Sequence, residues 1–194
     1  VSTVTSEGAP HRRRRMNQQT ESRAEVSVRW LDDGQQWAWR RFLEGTSRFY
    51  EALDRAHDVG MPLTLSEYHL LAQLSEAPER TLRMSALAEF LALSRSRLTH
   101  TVDRMEARGL VERRPVPGDR RGVNCVMTDA GFAALVDAAP QHVMAVRRLL
   151  VDVLEPEEMA TLGRAMAKVA DAARAEVARA QDAAGQAGLR AANV

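Results

Sequence analysis

Cysteine is almost missing from this 194-residue chain: Cys125 stands alone. No intrachain disulfide can form, and the usage suits a reducing, cytoplasmic compartment. No apolar run reaches 18 residues, so no membrane-spanning helix is expected. The Arg12–Arg15 run has no apolar stretch after it and does not read as a secretion signal. Aromatics make up only 5% of the residues, which leaves the core to aliphatic side chains and to helices packed through alanine. Lysine is reduced to Lys168, so basic charge here means arginine. Arrangements that carry catalysis are missing too. There is no glycine-rich phosphate loop, no H-E-x-x-H and no cysteine pair. His11, His57, His69, His100 and His142 show no metal-ligand spacing. His57 and His69 can approach across the loop 58–64, but two ligands fall short of a zinc site. The expectation is a protein without catalytic residues, metal or cofactor.

What is present is unevenly spread. The formal net charge is only +1, yet residues 80–121 carry ten arginines against five acids, and residues 30–79 carry four against nine. Positive charge gathered on one segment is the electrostatic footprint of phosphate binding.

That segment also has the most organised pattern. Residues 84–91 place Leu87, Phe90 and Leu91 at helical spacing, which predicts a short helix with those three on its core face. Ala92-Leu93-Ser94 reads as a turn, with Ser94 able to cap the next helix. In that helix Leu98, Val102 and Met105 recur at i, i+4 and i+7. The opposite face shows Arg95, Ser96, Arg97, Thr99, His100 and Arg104. Arginine reads guanine through two acceptors, and Ser, Thr and His add shorter hydrogen bonds. Gly109 sits where a helix ends in the left-handed region. Leu110–Arg114 and Val123–Met127 then read as paired strands, with 115–122 as a turn-rich tip. Arg120 and Arg121 at such a tip are badly placed for a core. They are well placed for a narrow minor groove, whose negative potential attracts guanidinium groups. Asp119 is expected either to orient Arg121 by a charge-assisted pair or simply to form the turn. DNA-contact candidates are thus Ser94, Arg95, Ser96, Arg97, Thr99, His100 and Arg104 on the helix, and Arg113, Asp119, Arg120 and Arg121 on the hairpin.

The run SRSRLTHTVDRMEARGLVERR, followed by GDRRGVNCVMTDAG, resembles the MarR family of bacterial transcription regulators. The D-x-R wing, Asp119 to Arg121, and the T-D-A-G helix start, Thr128 to Gly131, are the most specific pieces. The resemblance extends from about Trp37 to about Ala180. It implies an obligate homodimer on double-stranded DNA, a palindromic operator, and usually repression relieved by a small ligand. It also implies that the start of the second helix enters the major groove and the wing arginine the minor groove.

The rest of the chain reads as helical. A first long helix is expected from Asp32 or Asp33 to about Asp58, with Trp37, Trp39, Phe42, Phe49, Tyr50 and Leu53 along it. Its aromatics occupy more than one face, so burial on more than one side is expected. Thr64-Leu65-Ser66-Glu67 is a capping box for a helix over 65–75, with Leu65, Tyr68, Leu71 and Leu74 inward. Thr81-Leu82-Arg83 is expected as an edge strand beside the wing. Thr128 caps a helix running toward Val153, interrupted by Pro140. Pro156 opens the last helix, with Leu154, Met159, Leu162, Met166, Val169 and Ala173 at helical spacing and fraying expected beyond Asp182. So small a domain cannot cover both terminal helices, and a second copy is the natural solution.

The expected fold is mainly α: a winged helix-turn-helix with long N- and C-terminal dimerisation helices and a small β-wing. Its parts are a disordered tail at 1–29, dimerisation helices at 30–60 and 129–184, the DNA-binding unit at 61–128, and a flexible tail at 185–194. The Arg12–Arg15 run reads as solvated, with nonspecific phosphate contact as the alternative. Cys125, in an alternating strand segment, reads as packed rather than reactive. The resemblance places a ligand pocket where the dimerising helices meet the DNA-binding unit, with Trp39, Phe42, Phe49, Tyr50, Tyr68, His69 and Arg83 as candidates. Aromatics with a few polar groups suit a small aromatic or phenolic effector, although each also fits a plain core role. The functional alternative is a winged-helix adaptor that binds protein through Arg95–His100. Two arginines at the wing tip favour DNA.

Overall fold

The computed structural model describes residues 28–192, apart from the side chains of Arg120 and of residues 186–192. The expected N-terminal tail, with Arg12–Arg15, lies outside the described residues except for its last two. The chain divides into two compact units, 1–43 and 44–194. Its elements are α1 (Asp33–Gly60), α2 (Leu65–Glu76), β1 (Thr81–Arg83), α3 (Met84–Phe90), α4 (Arg95–Ala107), β2 (Val111–Val116), β3 (Asp119–Met127), α5 (Asp129–Val146) and α6 (Pro156–Ala192).

In the first unit, the start of α1 is set by its cap. Asp32 accepts from the Gln35 N–H at 2.8 Å, and Gln35 returns a bond to the Asp32 N–H at 3.1 Å. Two of the amide groups a helix start leaves unpaired are thereby satisfied. Trp39 and Phe42 stack at 5.8 Å, and Trp30 and Trp37 are exposed.

In the second unit, the capping box of α2 forms as its sequence demands. Thr64 accepts from the Glu67 N–H, and Glu67 accepts from the Thr64 N–H at 3.0 Å. Leu70, Leu71 and Leu74 of α2 are wholly buried and meet Leu87 of α3, Leu98, Val102 and Met105 of α4, and Leu135 and Ala138 of α5. Each such leucine contributes on the order of 2 kcal/mol through removal from water. A smaller cluster joins Leu53, Leu65 and Ala145 with Phe49 and Leu149.

The sheet has the order β1-β3-β2, all antiparallel. Thr81–Arg83 pairs with Asn124–Val126, the expected edge strand. The hairpin is longer than the sequence suggested. Pro115 and Val116 belong to β2, Val116 faces Asp119, and only Pro117 and Gly118 turn the chain. Gly118 takes φ 78°, a value glycine adopts without steric cost. Beyond β3, Thr128 caps α5 by accepting from the Gly131 N–H at 3.0 Å. Its hydroxyl also donates to the carbonyl of Gly109 at 2.7 Å. A Cβ at Gly131 would stand 2.1 Å from the Leu110 carbonyl oxygen, so only glycine permits this approach of α5 to the sheet. The T-D-A-G sequence is therefore a joint as well as a cap.

Three expectations need correction. Phe90 is 65% exposed, not a core residue. Leu87, Ala88 and Leu91 form the inner face of α3, and Phe90 lies beyond its edge. α5 ends at Val146, and a wider π-type turn, Arg147–Val151, replaces its expected last turns. α6 runs to Ala192, past the expected fraying point, because an alanine-rich sequence favours the helix. Val169 of α6 is exposed while Met159, Leu162 and Met166 are half-buried. Among the described residues no helix is long and apolar enough to cross a membrane.

Candidate nucleic-acid interface

Helix α4 is anchored by Leu98, Val102 and Met105, all but fully buried. Its 3.6-residue period then leaves Arg95, Ser96, Arg97, Thr99, His100 and Arg104 exposed. Two of the candidate hydroxyls already have structural work. Ser94 caps the helix by accepting from the Arg97 N–H at 3.3 Å. Thr99 donates back to the Arg95 carbonyl at 2.9 Å and keeps only its acceptor capacity.

The arginines of residues 80–121 sort into two groups. Arg80 pairs with Asp129, Arg83 with Asp119, Arg108 with Glu67, Arg113 with Asp103 and Glu106, and Arg114 with Glu112. Arg104 stands 4.0 Å from Glu67. Arg95, Arg97 and Arg121 carry no ion pair among the described residues. They occupy the start of α4 and the wing tip. The Arg120 side chain lies outside the described residues.

Of its two expected roles, Asp119 takes that of turn-former. Its carboxylate accepts from the backbone N–H groups of Arg121 and Gly122, both at 3.0 Å, and takes the Arg83 guanidinium at 3.0 Å. It closes the turn and ties the wing to β1 rather than holding the Arg121 side chain. Arg113 is also not free. Its guanidinium donates to Glu106 at 2.5 Å, to Asp103 at 2.7 Å and to the Thr99 carbonyl at 3.3 Å. Burial works against its charge, but the hydrogen bonds to Asp103 and Glu106 outweigh it and raise its pKa. Between α4 and the wing lies an open hollow of about 410 Å³ lined by Arg83, Ser85, Thr99, Arg113, Asp119 and Arg121.

Glu67 was legible as a capping residue only. It is 3% exposed and also receives Arg108, whose second nitrogen donates to the Pro62 carbonyl at 2.7 Å. A buried carboxylate needs such a partner, and the partner belongs to the end of α4. The acidic residue of a capping box carries no sequence signal for that second bond.

The seven ligand candidates are divided between the two units, and the five in the second unit lie at separate places within it. Trp39 and Phe42 stack in the first unit. In the second, Arg83 joins the wing, and Phe49 meets Tyr50 edge-on at 5.4 Å, packed on the Leu53 cluster. Tyr68 and His69 instead join a histidine cluster that the sequence half showed. His57 Nδ1 bonds the Leu63 carbonyl at 2.9 Å, and its Nε2 bonds His142 Nδ1 at 2.9 Å. A carbonyl only accepts, so Nδ1 of His57 carries a hydrogen, and between its Nε2 and His142 Nδ1 one ring donates and the other accepts. Tyr68 stacks on His142 at 3.9 Å, and His69 meets it edge-on at 6.1 Å. Burial, then the charges of His57 and His69, lower His142 to about 4. Burial and then His57 also lower His69. His142 is 85 residues from His57, a separation no local pattern bridges. Among the described residues no group of three or more His, Cys, Asp or Glu is arranged to hold a metal ion. Cys125 is wholly buried, and its thiol is pushed up to about 12 by burial, against the opposing charge of Arg113.

The sequence profile described as the MarR family matches residues 60–122. The chain is 36% identical over 126 residues to the HTH-type transcriptional regulator PecS of Dickeya dadantii, covering 61% of this chain and 75% of PecS. Its fold is similar to Sco3205, a MarR family transcriptional regulator of Streptomyces coelicolor solved in complex with DNA. The TM-score is 0.71 and the identity 38%, over 76% of this chain and 92% of that one. AbsC, a MarR family regulator from the same organism, superposes with a TM-score of 0.69 at 38% identity, over 76% and 99%. These relatives regulate transcription and are not enzymes, and they leave the adaptor reading without an observation of its own. An exposed arginine-bearing helix, a wing tipped by arginine and these likenesses agree: the chain belongs to the MarR family of winged-helix, DNA-binding transcriptional regulators.

Proposed function

We propose that this regulator binds a palindromic operator as a homodimer, with the start of α4 in the major groove and the wing tip in the minor groove. The observation that carries the reading is the sorting of arginines. Among the described arginine side chains of residues 80–121, the three without ion pairs, Arg95, Arg97 and Arg121, stand at the two positions proposed to meet the duplex. An unpaired guanidinium keeps its donors for guanine or for a narrow groove. The unit 61–128 reads DNA, and the helices at 30–60 and 129–184 join two copies. Val136, Val143 and Met144 of α5 and Val169 and Val177 of α6 are all exposed apolar residues. So much apolar surface suits a second chain. Two half-sites one helical turn apart, about 34–36 Å, would follow from the twofold symmetry. The regulator acts as a repressor, released by a small aromatic ligand that prefers the dimer conformation with mismatched spacing. Within the second unit, the cluster of Tyr68 and His69 with His57 and His142 offers aromatic and polar groups that suit such a ligand.

Anisotropy on a duplex selected by the protein from a random library tests the reading. Affinity should fall with log salt, about one unit of slope per phosphate neutralised. Sedimentation should give twice the 21.5 kDa chain mass. A stable monomer, or selection that yields no enriched sequence, would overturn it. A panel of phenolic carboxylates should release the duplex, and the effector is rejected if none does.

A further inference from the structure

The wing is a long lever held by little. On β2 the last buried residue is Val111, and on β3 the first is Cys125. Between them, among the described side chains, none is buried. Apolar packing therefore does not aim the distal hairpin. Two charged ties remain: Asp119 with Arg83 near the tip, and Arg113 with Asp103 and Glu106 at the base.

The base tie is built closely. Thr99, Asp103 and Glu106 follow one another at spacings of four and three, which puts them on one stripe of α4. Arg113 spans the whole stripe. One nitrogen takes Glu106, and the other takes Asp103 and the Thr99 carbonyl. The second Glu106 oxygen accepts from the Arg113 backbone N–H at 2.9 Å. Both the side chain and the main chain of β2 are thus fixed to the recognition helix. A planar fork suits this and an ammonium does not. Asp103 and Glu106 are otherwise odd residues for a helix that meets phosphates, because bare carboxylates there would repel DNA.

We propose that Arg113, gripped by Asp103 and Glu106, is a positioning residue. It sets the angle between α4 and the wing so that both grooves are read together, and it does not itself contact DNA. The inference rests on the DNA-reading roles proposed for α4 and the wing tip. Gly118 stands five positions beyond Arg113, a lever of roughly 17 Å at the rise of a strand. A slack of about 10° at the base would move the tip by roughly 3 Å, half the width of a minor groove of about 6 Å.

The test turns on a sign. Asp103→Asn and Glu106→Gln each remove a negative charge beside the duplex. Simple electrostatics makes every DNA bind more tightly. A positioning role makes the selected duplex bind about tenfold more weakly, the size of one lost groove contact, while random duplex binds no worse. Hydroxyl-radical protection should vanish in the minor groove at the wing, and methylation protection should persist at guanines under α4. Arg113→Ala and Arg113→Lys should behave alike, with an unchanged salt slope. Melting curves keep unfolded variants out of the comparison, and the near-isosteric Asn and Gln changes carry the test if Arg113→Ala does not fold. The proposal is overturned if Asp103→Asn and Glu106→Gln tighten both duplexes equally, or if Arg113→Ala lowers the salt slope by about one. If the unaltered protein selects no duplex, the DNA-reading roles themselves fail, which is a separate result.

Discussion

The two ends of one hairpin are held by opposite means. At its base, Val111, Cys125, Val126 and Met127 are buried, and Gly131 lets α5 approach the Leu110 carbonyl closer than any side chain allows. Beyond Val111 and Cys125, out to the tip, no described side chain is buried, and carboxylate–guanidinium pairs take over. Packing is insensitive to salt and intolerant of added volume. Ion pairs at a surface add little stability but hold direction. The base should therefore report on folding and the far end on DNA.

Gly131→Ala is the most damaging test of that division. The new methyl cannot fit beside a backbone oxygen, so the start of α5 must move. A loss of roughly 3 kcal/mol or more in unfolding free energy is expected. A melting temperature within a degree of the parent would mean that the joint is soft and the comparison false.

Arg97→Ala and Arg121→Ala should do the reverse. Each should weaken the selected duplex by about 1–3 kcal/mol with an unchanged melting curve. Arg97→Ala should also relax preference at one base pair. If affinity fell equally on every sequence, Arg97 would be a phosphate contact instead. Asp119→Ala removes two turn hydrogen bonds and the Arg83 tie, and should give a milder loss than Arg121→Ala.

The histidine cluster extends the comparison to a place where burial suppresses charge. In the unfolded chain His142 titrates near 6.5, and in the fold near 4. The unfolded state thus takes up its proton first as pH falls. Stability is full above about pH 6.5, declines between there and about pH 4, and levels off below. The loss from His142 is on the order of 2 kcal/mol after allowance for its partial exposure. His142→Phe should keep the stack on Tyr68 and flatten the profile of melting temperature against pH over that window. An unchanged slope would assign the pH response elsewhere.

The smallest effect concerns Cys125. A thiol near 12 has almost no thiolate at neutral pH. Alkylation in the folded protein should be slower than in the unfolded chain by orders of magnitude, and mild oxidants should leave DNA binding unchanged. Rapid labelling would show that the hairpin base opens.

Local chemistry explains what could be read in advance. The cap at Ser94, the Thr64–Glu67 box, the buried stripe Leu98–Val102–Met105 and the left-handed Gly109 each depend on residues within a few positions. Phe90 departs from the expected face because a seven-residue helix offers too few turns for its period to define one. The hairpin tip is narrower than its sequence suggests, because its prolines and glycines read as loop whereas the ladder continues through Pro115. Sequence displays the charge of Arg113 and Asp119 but not their partners, so it groups both with Arg121.

By itself, then, the sequence determined the order of elements, the faces of the main helices and the concentration of arginine on the reading unit, because each follows from spacing or composition. Only the tertiary structure decided which arginines stay unpaired, since that depends on carboxylates such as Asp129, 49 residues from Arg80, and Asp119, 36 residues from Arg83. Likewise, only the fold brought His142 to His57. Pairing and burial are properties of space, and chain distance carries almost no record of them.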